Sequence, residues 1–344
     1  MIEQSFMRTK GAIIGCGFFG QIQLEAWRRM PEAEIAAACD LDLNKARSSA
    51  TAAYISPEEM LDRERPDFVD IATRPESHLA LVRLAVERGI PVICQKPLAP
   101  NWSEALAIVQ TAESAGIRLM VHENWRWQPW FRIVRNLIQD GRIGQPLAYL
   151  FRTRAADGGG TEPYKRQPYF RTMPRLLIYE TLVHHIDTAR FLFGEIRSIY
   201  AASRRNNLSI AGEDQALLTP VHESGLTGSI DGHRFAEYVP DSPVLGDALF
   251  EGDAGSIAVH GNGDVYLGNS RVSKNEVATG YRGDSVLATQ RHFIECLASG
   301  EPFESEGRAY LRTFAAVEAC YRSAEEKRAV DVSEIYNENS NDLA

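Results

Sequence analysis

The sequence has no apolar run approaching the roughly 20 residues of a membrane-spanning helix, so no spanning segment is expected. Its first ten residues carry charge but no apolar core of a secretory signal, which makes cytoplasmic residence the default expectation. No C-x-x-C spacing joins the five cysteines, Cys16, Cys39, Cys94, Cys296 and Cys320. An odd, scattered set argues against a disulfide framework or a zinc site and assigns the thiols to packing. Basic residues are also in deficit: 37 Lys and Arg face 46 Asp and Glu, a formal net charge of −9. Such a field repels nucleic acid and anionic membrane surfaces, which leaves a small molecule as the expected partner. Internal repeats, low-complexity tracts and a Gly/Ser linker are absent as well.

What remains is an ordinary globular composition, 44% hydrophobic and 24% charged, in 344 residues, enough for two domains. In the first third, short apolar runs at 11–14, 34–39, 67–73, 91–95 and 117–122 alternate with amphipathic stretches. The helices expected between them cover 18–30, 43–53 behind an Asp42 N-cap, 57–63 opened by Pro57, 76–88 ending at Gly89, and 103–115 with Ser103 as N-cap. This rhythm predicts a doubly wound parallel α/β sheet over residues 1–123. Beyond it, the pattern gives a helix at about 129–140 and a strand at 147–154 with Tyr149, Phe151 and Thr153 on one face. A helix over 176–193 follows, then short alternating runs from 196 to about 282, and finally helices at about 284–298 and 307–326. Residues 124–344 therefore read as an α+β domain with a large, mostly antiparallel open sheet.

Gly15-Cys16-Gly17-Phe18-Phe19-Gly20 fits G-x-G-x-x-G between a strand and a helix. Gly15 suits the tight turn, Gly17 lets backbone approach a pyrophosphate, and Gly20 lets the helix pack on the sheet, while the helix N-terminus attracts phosphate. Asp40, 20 residues beyond Gly20 at a strand end, is placed to bond ribose hydroxyls and to repel a 2′-phosphate. This is the Rossmann signature of an NAD site, with NAD favoured over NADP.

Together with this loop, Gln95-Lys96-Pro97 resembles the Glu-Lys-Pro motif of the Gfo/Idh/MocA family, the glucose–fructose oxidoreductase and inositol dehydrogenase-like enzymes. Thr73-Arg74-Pro75-Glu76-Ser77-His78 is similar to the family's nicotinamide-side loop, His122-Glu123-Asn124-Trp125-Arg126-Trp127 to its Asn-x-Arg-aromatic crossover, and Glu180-x-x-x-His184-x-x-Asp187 to its Asp-x-x-x-His-x-x-Asp helix. The chain departs from the family at Gln95, at Glu180 and at Pro174-Arg175-Leu176, where a Gly-Gly is usual. The resemblance implies NAD contacts from Gly15, Gly17, Phe18, Phe19, Gly20, Asp40, Thr73, Arg74, Pro75, His78, Gln95, Lys96 and Asn124. Gln95 retains the ability to bond a ribose hydroxyl but brings no charge beside Lys96.

Chemically, an ammonium at Lys96 can bond a substrate hydroxyl and stabilise alkoxide character. Pro97 fixes the turn and restricts Lys96 to extended geometry. Glu180, His184 and Asp187 stand at i, i+4 and i+7 on one helical stripe, with His185 about 100° away. An unperturbed imidazole titrates near pH 6.5 and suits proton transfer. The family assigns the acid/base role to the residue matching His184, with Glu180 and Asp187 orienting it or bonding neighbouring hydroxyls. With no second histidine on that face, no metal is expected.

Substrate-side candidates are Asn124, Arg126, Arg154, Tyr164, Arg175, Glu180 and Asp187. The segment 152–175 is locally basic and reads either as donors for a sugar or as a solvated rim. Asp157-Gly158-Gly159-Gly160-Thr161 reads as a lid hinge or a tolerant loop, and Trp125, Trp127, Trp130 and Phe131 as sugar-stacking or packing aromatics. The expected activity is oxidation of a hydroxyl or anomeric carbon of a monosaccharide or polyol, with Lys96 polarising and His184 taking the proton. The Gln-Lys-Pro variant is also similar to D-apiose dehydrogenase-like members, which implies an aldose oxidised to a lactone. Two other outcomes known among relatives stay open, NAD-using glycoside hydrolysis and non-catalytic regulation. The family analogy implies a homodimer or homotetramer.

Overall fold

A computed structural model describes residues 8–236, 240–277 and 279–340. The chain forms two compact units, Met1–Asn124 with Asp284–Leu311, and Trp125–Gly283 with Arg312–Ala344.

In the first unit six parallel strands, β1 (Thr9–Ile14), β2 (Ala33–Cys39), β3 (Ala52–Tyr54), β4 (Phe68–Ile71), β5 (Val92–Gln95) and β6 (Leu119–His122), lie in the order β3-β2-β1-β4-β5-β6. Helices α1 (Phe18–Arg28), α2 (Leu43–Ser49), α3 (Pro57–Glu64), α4 (His78–Val86) and α5 (Trp102–Ser114) connect them. The order of strand addition thus reverses between β1 and β4, the place where doubly wound sheets open to a ligand. Asp42 caps α2 through Asn44 N, as expected. Two boundaries differ from the sequence expectation. The helix expected over 43–53 stops at Ser49, and 52–54 becomes edge strand β3, paired with Ala37–Cys39. For α5 the cap is Asn101, which accepts from Glu104 N at 3.0 Å, while Ser103 lies inside the helix.

The second unit is built on nine strands. α6 (Pro129–Gln139) precedes β7 (Pro146–Arg154), and α7 (Val183–Phe193) leads to β8 (Ile196–Arg204), β9 (Gln215–His222), β10 (Thr227–His233), β11 (Gly246–Gly252), β12 (Gly255–Val259), β13 (Val265–Leu267) and β14 (Ser270–Ser273). After α8 (Ser285–Ser299) and α9 (Gly307–Glu326), β15 (Val330–Asp331) and α10 (Val332–Ser340) end the described chain. The sheet order is β14-β13-β12-β11-β7-β10-β9-β8-β15, antiparallel throughout except for the β7–β10 pair. On β7, Tyr149, Phe151 and Thr153 face the core, as the alternation predicts. Phe151 meets Phe131, Phe250 and His185 edge-on at 5.8, 5.5 and 5.3 Å between ring centres.

The first unit also takes in α8. Its apolar face supplies Phe293, Ile294 and Cys296 to a core with Trp27, Phe68, Ile93 and Met120 of the first unit, and Phe303 completes it. All five cysteines are buried and free. No helix among the described residues is long and apolar enough to cross a membrane.

Candidate functional site

The glycine loop follows β1 and opens α1. Gly15 has φ +99°, and a Cβ there would lie 2.7 Å from the Ala72 backbone, so only glycine fits the turn. At Gly20 a Cβ would meet the Gly15 carbonyl oxygen at 2.1 Å, which makes this residue the contact between helix and loop. A Cβ at Gly17 would meet nothing within 4 Å, and no side chain caps α1 there. Backbone openness at a helix N-terminus is what a pyrophosphate requires. Phe18 is partly exposed beside it, and Phe19 stands edge-on to His122 at 6.0 Å.

Asp40 ends β2 against this loop. One carboxylate oxygen accepts from Cys16 N at 2.8 Å and the other from Asp42 N at 2.9 Å, so backbone fixes the carboxylate, which stays partly exposed. The residues present fit an NAD: a turn closed by Gly15 and Gly20, an open approach at Gly17 and a preset acid for the ribose.

After β4, Thr73 Oγ1 accepts from Ser77 Oγ at 2.7 Å, Arg74 is exposed and Pro75 opens a short 3₁₀ turn. His78, expected to touch the cofactor, has no exposed surface. Its Nδ1 lies 2.9 Å from the Leu98 carbonyl and its Nε2 3.2 Å from that of Thr73. Burial pushes its pKa down, so the ring is neutral and its single N–H donates to one of these two carbonyls at a time.

Gln95 ends β5 and is nine-tenths buried. Its Oε1 accepts from Lys96 N at 2.7 Å, which settles the amide orientation and leaves Nε2 without a partner. Lys96 follows, largely buried, joined to Pro97 by a cis peptide bond. Asn124, two residues past β6, donates from Nδ2 to Ser285 Oγ at 2.8 Å, and its Oδ1 has no partner.

In the second unit the residues assigned to the proton helix begin differently from the expected α-helix. Leu177–Leu182 form a π-helical turn, and α7 starts at Val183. Side chains from elsewhere in the unit hold the backbone donors of this segment. Leu176 N and Ile178 N donate to the Glu213 carboxylate, and Tyr179 N donates to Tyr321 Oη at 3.2 Å. With these N–H groups satisfied from outside, the turn is free to widen. Glu180 lies in it, accepting from Thr181 Oγ1 at 2.8 Å and standing 3.8 Å from Arg234.

His184 stacks on Trp125 with ring centres 4.5 Å apart and 16° between planes. His185 is 2% exposed and lies 3.2 Å from Thr153 Oγ1. Burial first, then the neighbouring His184, pushes its pKa down to about 3, so it stays neutral at working pH. Asp187 has no exposed surface and takes a bidentate pair from Arg126 at 2.7 and 2.7 Å, plus Thr313 Oγ1 at 2.9 Å. Arg126 and Asp187, both expected to meet substrate, are therefore committed to each other. Burial alone would raise the Asp187 pKa, but the Arg126 charge and hydrogen bonds outweigh it and hold the carboxyl below its ordinary range.

The other substrate-side candidates are also anchored. Arg154 pairs with Asp231, and Arg175 donates to Glu318 at 3.0 Å over the ring of Tyr321. Tyr164 belongs to a core cluster with Phe170, Leu176 and Ile210 and is 1% exposed. The Asp157–Thr161 loop is pinned by Arg234, which takes Asp157 in a bidentate pair and donates to Thr181 at 3.0 Å, and by Asn207, whose Nδ2 donates to the Gly158 and Gly160 carbonyls. It reads as an anchored loop, not a free hinge. Neither Arg234 nor Glu213 carries a local sequence signal, because their side-chain partners lie 35 to 108 residues away.

Comparison with known proteins agrees with this geometry. Residues 9–123 match the oxidoreductase family with an NAD-binding Rossmann fold, and residues 131–258 match the GFO/IDH/MocA C-terminal domain. A D-apiose dehydrogenase of Paraburkholderia graminis is 37% identical over 95% of this chain and 91% of its own length. One from Rhizobium rhizogenes is 35% identical over 94% and 97%. Among solved structures, an oxidoreductase from Agrobacterium radiobacter in complex with NAD+, L-tartaric acid and magnesium has a TM-score of 0.88 at 34% identity, covering 96% of this chain and all of that one. Levoglucosan dehydrogenase in complex with NADH, at 20% identity and a TM-score of 0.84, shares the fold. With its glycine turn, its fixed Asp40 and matches over both halves, the chain belongs to the Gfo/Idh/MocA family of NAD-binding oxidoreductases.

Proposed function

We propose that this protein is an NAD-dependent sugar dehydrogenase that oxidises an aldose at its anomeric carbon to a lactone, with D-apiose the first substrate to try. The observation that carries the reading is the retention of Lys96 and His184 in a chain 37% identical to a D-apiose dehydrogenase over nearly its full length. NAD, when bound, supplies the hydride acceptor. Lys96 bonds the substrate hydroxyl oxygen and stabilises the charge that develops there. His184, held flat against Trp125, accepts the hydroxyl proton. Asp187 and Arg126 keep α7 in place beneath it, and His185 plays no part in proton transfer because it remains neutral.

The test is NADH formation at 340 nm with D-apiose, other aldoses and polyols, run with NAD and with NADP, and with the lactone identified as product. Lys96→Ala and His184→Ala are each expected to lower kcat about 10²- to 10⁴-fold with NAD affinity of His184→Ala unchanged. Turnover unaffected by both substitutions would refute the assignment. An acid limb of the pH–rate profile that survives His184→Ala would move the base elsewhere.

A further inference from the structure

The segment assigned to proton transfer is held at its start by a residue that no motif names. Glu213 stands two residues before β9 and is 8% exposed. Three consecutive backbone N–H groups donate to it: Leu176 N to both carboxylate oxygens at 3.3 and 3.2 Å, Leu177 N to its carbonyl oxygen at 3.2 Å, and Ile178 N to Oε1 at 2.9 Å. Tyr321 Oη donates to the same Oε1 at 2.6 Å and accepts from Tyr179 N at 3.2 Å. Four successive N–H groups at a helix start, where partners inside the helix are lacking, are thus met by one acid and one phenol. The surroundings seat this acid. A Cβ at Gly212 would lie 2.6 Å from the Met173 carbonyl oxygen and 2.8 Å from Leu176 Cβ, so glycine is what lets residues 212–213 lie against 173–176. Arg175 stands over the Tyr321 ring at 4.0 Å and donates to Glu318, one turn earlier on α9, which fixes the phenol that serves Glu213.

Capping from outside changes the pitch of the backbone. A π turn closes from i to i+5 and admits one more residue than an α turn, so the residues ahead of α7 are rotated from the places that unbroken 3.6-residue winding gives them. Glu180 lies in that turn, four residues before His184, with its carboxylate beside Thr181 Oγ1 and 3.8 Å from Arg234. α7 itself is fixed by the Asp187–Arg126 pair. Rewinding of 177–182 to an α-helix therefore turns Glu180 about the axis while His184 stays in place.

We propose that Glu213 is a positioning residue for proton transfer: by holding the N–H groups of 176–178 it keeps the turn wide, sets where Glu180 stands relative to His184, and acts on the reaction through Glu180 alone. The proposal rests on the dehydrogenase reading above, in which His184 is the base. It also gives the departure at Pro174-Arg175-Leu176 a purpose, because Arg175 is what ties Tyr321, and with it Glu213, to the start of this segment.

Steady-state kinetics on the full chain, with NAD and the sugar that gives NADH, test it. Glu213→Leu is expected to lower kcat roughly 10- to 100-fold, the size of a misplacement of about 1 Å, with a smaller change in KM and with NAD affinity unchanged. Glu213→Gln keeps the Oε1 acceptor that serves Leu176, Ile178 and Tyr321, and is expected to retain most of the wild-type kcat. Glu180→Gln lowers kcat as well, and in that background Glu213→Leu is expected to bring no further loss, because residues that act through one another are not additive, whereas a merely structural role adds its loss to any background. Should Glu213→Leu not fold, Tyr321→Phe removes the hydroxyl that meets both Tyr179 N and Glu213 while filling the same space, and is expected to give a smaller kcat loss that vanishes in the same background. Additive losses with either variant overturn the proposal. So does a wild-type kcat in Glu213→Leu, or a Glu213→Gln as slow as Glu213→Leu. These failures leave the dehydrogenase reading standing, whereas a wild type that forms no NADH with any sugar takes away that reading and the proposal together.

Discussion

Two aspartates, Asp70 in the first unit and Asp187 in the second, are both fully buried, yet their surroundings drive them to opposite charge states. Asp70 accepts from Trp27 Nε1 at 2.7 Å and Gln23 Nε2 at 3.1 Å, both neutral donors. Burial wins there and pushes its pKa up to about 7. Asp187 has Arg126 in a bidentate pair and Arg190 at 4.0 Å, and remains ionised. Burial sets the cost of a charge, and the partner decides whether the charge persists. The first unit accordingly tolerates a carboxyl that gains and loses its proton near neutrality, whereas the second has tied α7 to a permanent ion pair.

The largest effect is expected from Asp187→Ala. It strands the buried Arg126 guanidinium and should cost about 3–5 kcal/mol in chemical denaturation, while a smaller loss would mean that water reaches Arg126. Its pKa is depressed in the fold, so its contribution is present above the ordinary carboxylate range and is lost as pH falls through the folded value. Asp70 has the opposite sign. Its folded pKa of about 7 exceeds that of the unfolded chain, so the folded state binds the extra proton, and stability from this group falls as pH rises from about 4 to 7. The slope is at most roughly 1.4 kcal/mol per pH unit, and Asp70→Asn should flatten it; an unchanged slope would place the titration elsewhere.

Trp27→Phe removes one donor from Asp70 and is expected to cost about 1–3 kcal/mol, more at pH 8 than at pH 5 because the ionised carboxylate loses the stronger bond. Equal losses at both pH values would show that only packing changed. The smallest effect belongs to the half-exposed Arg152–Asp247 pair, where Arg152→Ala should change stability by less than about 1 kcal/mol. A larger value would put that surface charge on the footing of Asp187.

Local signals made much of this legible in the sequence. The glycine loop, Asp40 and the strands around them are contiguous motifs whose physics sits within 30 residues, and the buried face of β7 follows from alternation. The edge strand β3 was hidden because Ala52-Ala53 reads as the continuation of a helix, and only pairing with β2 makes it a strand. The π-helical turn ahead of α7 depends on Glu213 and Tyr321, which no local pattern connects to residues 176–179. The basic look of 152–175 misled for the same reason: Asp231, Asp247 and Glu318, which answer Arg154, Arg152 and Arg175, are far along the chain. Long-range pairing, not propensity, separates a substrate-facing arginine from a structural one.

The return of Ser285–Ser299 to the first unit carries a consequence for synthesis. When residue 124 leaves the ribosome, Phe68, Ile93 and Met120 still lack the cover that Phe293 and Phe303 provide. At ordinary elongation rates the segment ending at Leu311 follows roughly 10–40 s later. For that interval the nascent nucleotide-binding half shows an uncovered apolar face.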